Sequence, residues 1–418
     1  MRGKKRMLIL CVCLLVCMVC IVIIWLYTLK APLGVPQQDY TRLSFWTVSE
    51  SYADYMLSCA QRFNEQCDGE KINLDVQVYS RSFIVDQINK SLLNDDQIPD
   101  LADIRFVDMH QFVNSAEHTM FFYPLNSLIE TDDAPETATL EPFSFNSTLL
   151  ALPYGSGEMA LFMNVELLDK YGVDPDGISS WEDFWNLGKE LKEDGINLLA
   201  VDVNNWDLML AAMLQRDPEL ANAADDQAIA HSDVFRETYA TLRSAVREGV
   251  AIIPEELDIY NQSFYASFQA GECACVVAPM EYAYNLIHNM PDLSGKIRIR
   301  PLPGGEEGDK SPLVAQYGTV ILAKGKNIRL AKHFLQFAKL GEERYREMTD
   351  ALYVGSVSEQ DVGARRTPRD SAFAAYFGED ALLSFDAAEK CGFSSASGLP
   401  AATLQLTEDL LDASEECN

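Results

Sequence analysis

The sequence is short of basic charge. Its 418 residues hold 33 Lys+Arg against 63 Asp+Glu, a net charge of −30. Five of the basic residues (Arg2, Lys4, Lys5, Arg6, Lys30) fall in the first 30 positions, so the rest of the chain carries about −35. A nucleic-acid partner needs a basic footprint to meet phosphates, and this chain has no excess to build one. The body of the protein would also be repelled by anionic membrane surfaces. Histidine is scarce as well. His110, His118, His231, His288 and His333 form no His-Glu-x-x-His or other metal-binding spacing. Outside the first 30 residues the six cysteines are Cys59, Cys67, Cys273, Cys275, Cys391 and Cys417. Cys273-Ala-Cys275 has no second Cys or His pair to complete a zinc site. No Walker loop and no Gly-x-Ser-x-Gly elbow occurs, and Gly155-Ser156-Gly157 lies between two apolar runs rather than ahead of a helix. No cofactor and no metal is expected.

What is present begins at the N-terminus. Met7 to Leu29 runs for 23 residues without a charge, behind a basic hexapeptide. At 1.5 Å per residue that run spans the ~30 Å hydrocarbon core. No Ala-x-Ala cleavage pattern follows, and the residues before Cys11, Cys13, Cys17 and Cys20 (Leu10, Val12, Val16, Val19) are not the small residue a lipidation signal requires. Residues 1–30 therefore read as an uncleaved membrane anchor, with a degenerate lipoprotein signal as the alternative. The basic end stays cytoplasmic and the chain beyond it faces outward. Residues 31–42, with Pro32, Gly34 and Pro36, read as a linker.

Hydrophobic residues make up 48% of the chain, enough for a large core. Leu43–Trp46 reads as a strand. Tyr52, Met56, Cys59 and Phe63 repeat at 4, 3, 4, one face of a helix, which turns Cys59 toward a core and away from a disulfide. Leu74, Val76 and Val78 alternate as a strand, Ile84, Ile88 and Leu92 stripe a helix, and Leu101–Ile104 is a third strand. This β-α-β-α-β opening predicts α/β architecture with a mainly parallel sheet. Leu149–Leu152, Ala160–Met163, Ala274–Ala278 and Thr319–Ala323 read as further strands. Ser179 with Glu182 suggests a capping box ahead of the stripe Trp181, Phe184, Leu187, Leu191. Phe235, Tyr239, Leu242 and Val246 stripe a helix, and Asn327–Leu340 is another. Beyond residue 350 the pattern weakens.

These segments, in this order, resemble the extracellular solute-binding proteins of ABC importers, the family typified by maltose- and oligosaccharide-binding proteins. The resemblance is carried by Leu43–Trp46 with Phe63-Asn64, Ile98-Pro99-Asp100-Leu101, Phe122–Leu128, Leu152-Pro153-Tyr154 with Leu161–Leu168, Ser180-Trp181-Glu182-Asp183-Phe184, Ala270-Gly271-Glu272 to Tyr282, and Pro301–Gly304 with the helix from Asn327. It covers residues 43–340. Met280 stands where the family often has Trp, and the tail after residue 350 matches poorly.

The resemblance implies a two-lobed, type II periplasmic-binding-protein-like fold. Lobe 1 would comprise residues 43–157 and 300–340, and lobe 2 residues 158–299 and 341–418. Crossings are expected near 152–158 and 300–315. A small solute, with a sugar or oligosaccharide favoured, would bind between the lobes. Hinge closure would bury it for delivery to an ABC permease, with no catalytic residue. Membrane-anchored carbohydrate hydrolysis and a sensory ectodomain are the competing readings. In open α/β sheets ligands lie beyond the carboxyl ends of strands. Sugars need flat aromatics for their C–H faces and polar groups for their hydroxyls. Those two rules select Trp46, Ser49, Glu50, Arg105, Tyr154, Glu158, Trp206, Asp207, Glu281 and Tyr282 as candidate ligand-binding residues.

Overall fold

The computed structural model describes residues 40–415 apart from 68, 82, 114–120, 130–139, 155–156, 223–228, 230, 305–309, 341–346, 348–371, 387–388 and 393–401. The apolar run over residues 7–29 lies outside the described residues. Among the described residues no helix is long and apolar enough to cross a membrane.

The opening β-α-β-α-β is present as β1 (Tyr40–Thr47), α1 (Glu50–Gln66), β2 (Lys71–Val78), α2 (Ile84–Asn94) and β3 (Leu101–Arg105). The first strand thus starts inside the stretch read as linker. α1 forms because Ser49 caps it, its side chain accepting from the Tyr52 N–H. The 4, 3, 4 stripe then buries Tyr52, Met56, Cys59 and Phe63. Cys59 is buried in the core and forms no disulfide among the described residues, and its sulfur accepts from Arg62 Nη2 at 3.2 Å.

A hairpin of β4 (Ser144–Phe145) and β5 (Thr148–Leu149) precedes β6 (Ala151–Tyr154) and β7 (Met159–Asn164). Next come α3 (Trp181–Glu193), β8 (Asn197–Ala200), α4 (Asp207–Arg216), α5 (Asp233–Arg247) and β9 (Ala251–Ile252). They are followed by α6 (Gln262–Ala270), β10 (Cys273–Pro279), α7 (Tyr282–Asn289) and β11 (Ile297–Arg300). β12 (Lys310–Leu313), β13 (Tyr317–Ile321), α8 (Ile328–Lys339), β14 (Glu389–Gly392) and α9 (Ala402–Glu415) complete the described order used below.

Two five-stranded sheets result. The first has the order β2-β1-β3-β13-β6 and the second β11-β7-β10-β8-β9. β1 and β3 are parallel, whereas β13 runs antiparallel to both β3 and β6. In the second sheet β8 is parallel to β9 and β10, and β7 is antiparallel to β10 and β11. The expected mainly parallel arrangement therefore gains antiparallel strands where the chain passes between the sheets, because a strand entering from the other sheet comes in reversed. β7 and β10 are buried at every residue, as strands covered on both faces are.

The cap of α3 lies one residue later than the spacing suggests. Ser180 Oγ accepts from the Asp183 N–H at 3.1 Å, and Asp183 Oδ2 accepts from the Ser180 N–H at 3.0 Å. Ser179 donates its hydroxyl to the same Asp183 carboxylate at 3.0 Å, and Glu182 takes no part in the box. β12 pairs in parallel with β14, a long-range pairing with no local signature. Among the described tail residues, α9 packs against α5, where Asp409 accepts from Arg243 at 2.8 Å.

The passage between the sheets is tight at Gly157. Its φ is +65°, and a Cβ there would lie 2.4 Å from the Gln316 backbone nitrogen. Its carbonyl accepts from Val314 N at 3.1 Å and Ala315 N at 3.2 Å. Only glycine accommodates both the left-handed backbone and the close approach.

Candidate functional site

A cavity of about 300 Å³ opens where the strand ends of the two sheets face each other. That is at the lower end of the range for ligand sites. From the first sheet it is lined by the loop after β1 (Val48, Ser49, Glu50, Ser51) and the loop after β2 (Tyr79, Ser80, Arg81). From the second it is lined by Asp202 and Asn204 after β8, and by Glu256, Asp258 and Tyr260 after β9. Tyr265 of α6 and Glu281, Tyr284 and Asn285 beyond β10 complete it. Every contributing loop follows a strand at its carboxyl end, the position the topology assigns to ligands.

Three of the ten sequence-selected residues, Ser49, Glu50 and Glu281, line this cavity. The other seven are placed elsewhere. Trp46 is 6% exposed and meets Tyr79 edge-on at 5.2 Å, one layer behind the wall. Tyr154 is buried and stacks on Tyr52 at 3.9 Å. Tyr282 is buried, its hydroxyl donating to the Ile259 carbonyl at 3.0 Å. Trp206 is 6% exposed within the main hydrophobic cluster, in a left-handed conformation with φ of 56° at the head of α4. Glu158 is buried between the sheets, its carbonyl accepting from Met280 N at 2.8 Å.

Arg105 and Asp207 meet each other. Arg105 Nη1 donates to Asp207 Oδ1 at 2.9 Å and to the Asn205 carbonyl at 2.8 Å, while its Nε donates to Asp108 at 3.1 Å. Burial raises the Asp207 carboxyl to about 6, against the pull of Arg105 and Arg81. The pair joins the end of a first-sheet strand to the first turn of a second-sheet helix.

Arg81 was not selected from the sequence and holds the cavity's central contact. Its Nη2 donates to Glu281 Oε1 at 2.5 Å, and its Nη1 to the Tyr317 hydroxyl at 3.3 Å. The guanidinium carbon lies 4.4 Å from the Tyr260 ring centroid and 5.2 Å from that of Tyr317. Burial works against the Arg81 charge, but Tyr260, Tyr317 and Glu281 outweigh it and keep the guanidinium firmly ionised. Tyr284 adds a further bridge between the sheets, donating to Asp54 of α1 at 2.5 Å. Burial and the Asp258 and Asp207 charges raise Asp202 to about 7. Applying the strand-end rule to β2 as it was applied to β1 would have named Tyr79 and Arg81. The Glu256–Tyr260 wall follows a strand of two residues, too short to recognise from its pattern.

The arrangement joins flat tyrosine faces to carboxylate, amide and hydroxyl groups in one partly enclosed space. It offers recognition of a polyhydroxylated molecule. Among the described residues, no group of His, Cys, Asp and Glu is placed to hold a metal.

A family model for bacterial extracellular solute-binding proteins matches residues 48–340, and the chain belongs to that family. An arabinooligosaccharide-binding protein of Bacillus subtilis is 29% identical over 315 residues, covering 75% of this chain and 72% of the relative. A protein of the same description from Halalkalibacterium halodurans is 26% identical over 329 residues, covering 74% and 70%. Among solved structures, the GacH receptor of Streptomyces glaucescens superposes with a TM-score of 0.66 at 17% identity, over 91% of this chain and 95% of that one. A binding protein of B. animalis subsp. lactis, solved with beta-1,6-galactobiose, superposes with a TM-score of 0.67 at 16% identity, over 89% and 90%. These likenesses show the α/β solute-binding fold.

Proposed function

We propose that this protein is a carbohydrate receptor that captures an oligosaccharide between its two sheets and presents the closed form to an ABC import permease. The observation that carries this reading is the cavity wall. Tyr79, Tyr260, Tyr265 and Tyr284 bring aromatic rings to the wall, while Ser49, Glu50, Asp258, Glu281 and Asn285 offer hydroxyl partners, all around the strand ends of two facing sheets. The names of the relatives point to pentose oligomers as the first solutes to try.

In this reading residues 43–157 with 300–340 form one lobe, and residues 158–299 with 341–418 the other. Gly157 and the Val314–Ala315 backbone beside it lie at the hinge. Residues 7–29 anchor the chain in the membrane with the lobes outside. The work is binding and closure, with no covalent step.

A thermal-shift screen of the full chain against arabino-, xylo-, malto- and galacto-oligosaccharides tests it. A solute at 100 times its Kd adds about 2.7 kcal/mol to stability. At least one class should raise the midpoint in a concentration-dependent way. A flat response to every class would refute the carbohydrate reading.

A further inference from the structure

Five carboxylates line the cavity (Glu50, Asp202, Glu256, Asp258 and Glu281), and among the described residues Arg81 is its one cationic side chain. In a chain of net charge −30 an acidic lining alone says little. The informative feature is how the single cation is used. Arg81 and Glu281 are each 7% exposed and paired at 2.5 Å. The guanidinium lies between the rings of Tyr260 and Tyr317, so it cannot swing toward a solute without breaking both the pair and the ring contacts. Its Nε is buried without a hydrogen-bond partner among the described residues, leaving the cation one unused donor.

We propose that Glu281 is the charge-selectivity residue of the cleft: by neutralising Arg81 it makes the cavity refuse anionic solutes and restricts it to uncharged ones. The assignment rests on the receptor reading above for the location of the solute. A uronate or phosphorylated sugar entering this space would meet Glu50, Glu256 and Asp258 with no available counter-charge. In a partly desolvated site that repulsion is strong. An uncharged sugar donates its hydroxyls to the same carboxylates. Selectivity then comes from what is excluded as much as from what is held.

Calorimetric titration of the full chain tests this with α-1,5-arabinotriose, xylotriose and maltotriose as neutral probes and trigalacturonate as the anionic probe. The proteins are the wild type, Glu281→Gln, and Glu281→Gln combined with Arg81→Gln. Glu281→Ala replaces the amide variant if that one fails to fold. Wild type should bind trigalacturonate at least about tenfold more weakly than its best neutral probe. Glu281→Gln frees the guanidinium charge and should bind it at least about tenfold more tightly than wild type does, as expected for unmasking a buried charge. The double variant should lose that gain. Trigalacturonate binding by wild type comparable to its neutral binding, or no gain in the Glu281 variants, overturns the proposal. If wild type refuses every neutral probe while Glu281→Gln still gains trigalacturonate, the charge assignment stands and the neutral-carbohydrate reading falls.

Discussion

Arg105 Nη1 stands 2.9 Å from Asp207 Oδ1, tying the last residue of β3 to the first residue of α4. The two side chains are 11% and 6% exposed. With Arg81–Glu281 and Tyr284–Asp54, this contact makes three polar bridges across the facing strand ends. In none of the three pairs are the two partners close in sequence.

The Asp207 carboxyl, held up at about 6 by burial, gives the stability of the protein a signed dependence on pH. An unfolded aspartate titrates near about 4. Between those values the folded protein carries the extra proton. This group's contribution is therefore full below pH about 4 and is lost as pH rises through about 6. Urea-unfolding free energies measured from pH 4 to 7 should decline more steeply with pH for wild type than for Asp207→Asn. Equal slopes would contradict the assignment.

Trp206→Ala separates packing from solute contact. Trp206 was selected from the sequence as a stacking ring, yet it is buried in the main cluster and is absent from the cavity lining. Truncation should cost about 3–5 kcal/mol of stability, as for large buried rings. Alanine keeps the Cβ, so the left-handed backbone at this position is not relieved by the substitution. Solute affinity of the folded fraction should stay near wild type. A loss of affinity with stability intact would return the ring to the cleft.

Gly157→Ala places a methyl group 2.4 Å from the Gln316 backbone nitrogen in a left-handed conformation. Neither the chain turn nor the Val314 and Ala315 contacts survives unchanged. The loss should exceed about 1 kcal/mol, the scale of compatible glycine replacements. Small-angle scattering should show an altered radius of gyration if this glycine sets the hinge. An unchanged unfolding curve would show that the segment relaxes freely.

Much of the architecture was legible because it is written locally. The Tyr52, Met56, Cys59, Phe63 stripe defines α1 because its period reports the buried face, and the alternation of Leu74, Val76 and Val78 marks β2, although burial fades along it to the exposed Val78. The pairing of β12 with β14 had no such record, because the two segments lie far apart in the chain. The site was legible in place more than in detail. Strand-end reasoning points to loops that line the cavity, and three of the residues it names, Ser49, Glu50 and Glu281, lie in that lining. It also named Trp46 and Tyr154, whose rings turn into the core, because proximity to a strand end does not say which side of the strand a ring takes. Arg81 owes its role to Glu281, 200 positions away, and to the rings of Tyr260 and Tyr317. A charge whose partners are assembled by folding shows only as one arginine in a loop.

The position of a bound oligosaccharide tests the central claim most directly. A crystal structure of the protein with a saccharide identified by the thermal-shift screen should show it between the loops after β1 and β2 on one side and the Glu256–Tyr260 and Glu281–Asn285 segments on the other. At least one ring among Tyr79, Tyr260, Tyr265 and Tyr284 should lie against a sugar face. A saccharide bound anywhere else, such as the surface groove lined by Trp185 and Lys189 of α3 and Thr241 and Ser244 of α5, would contradict the account.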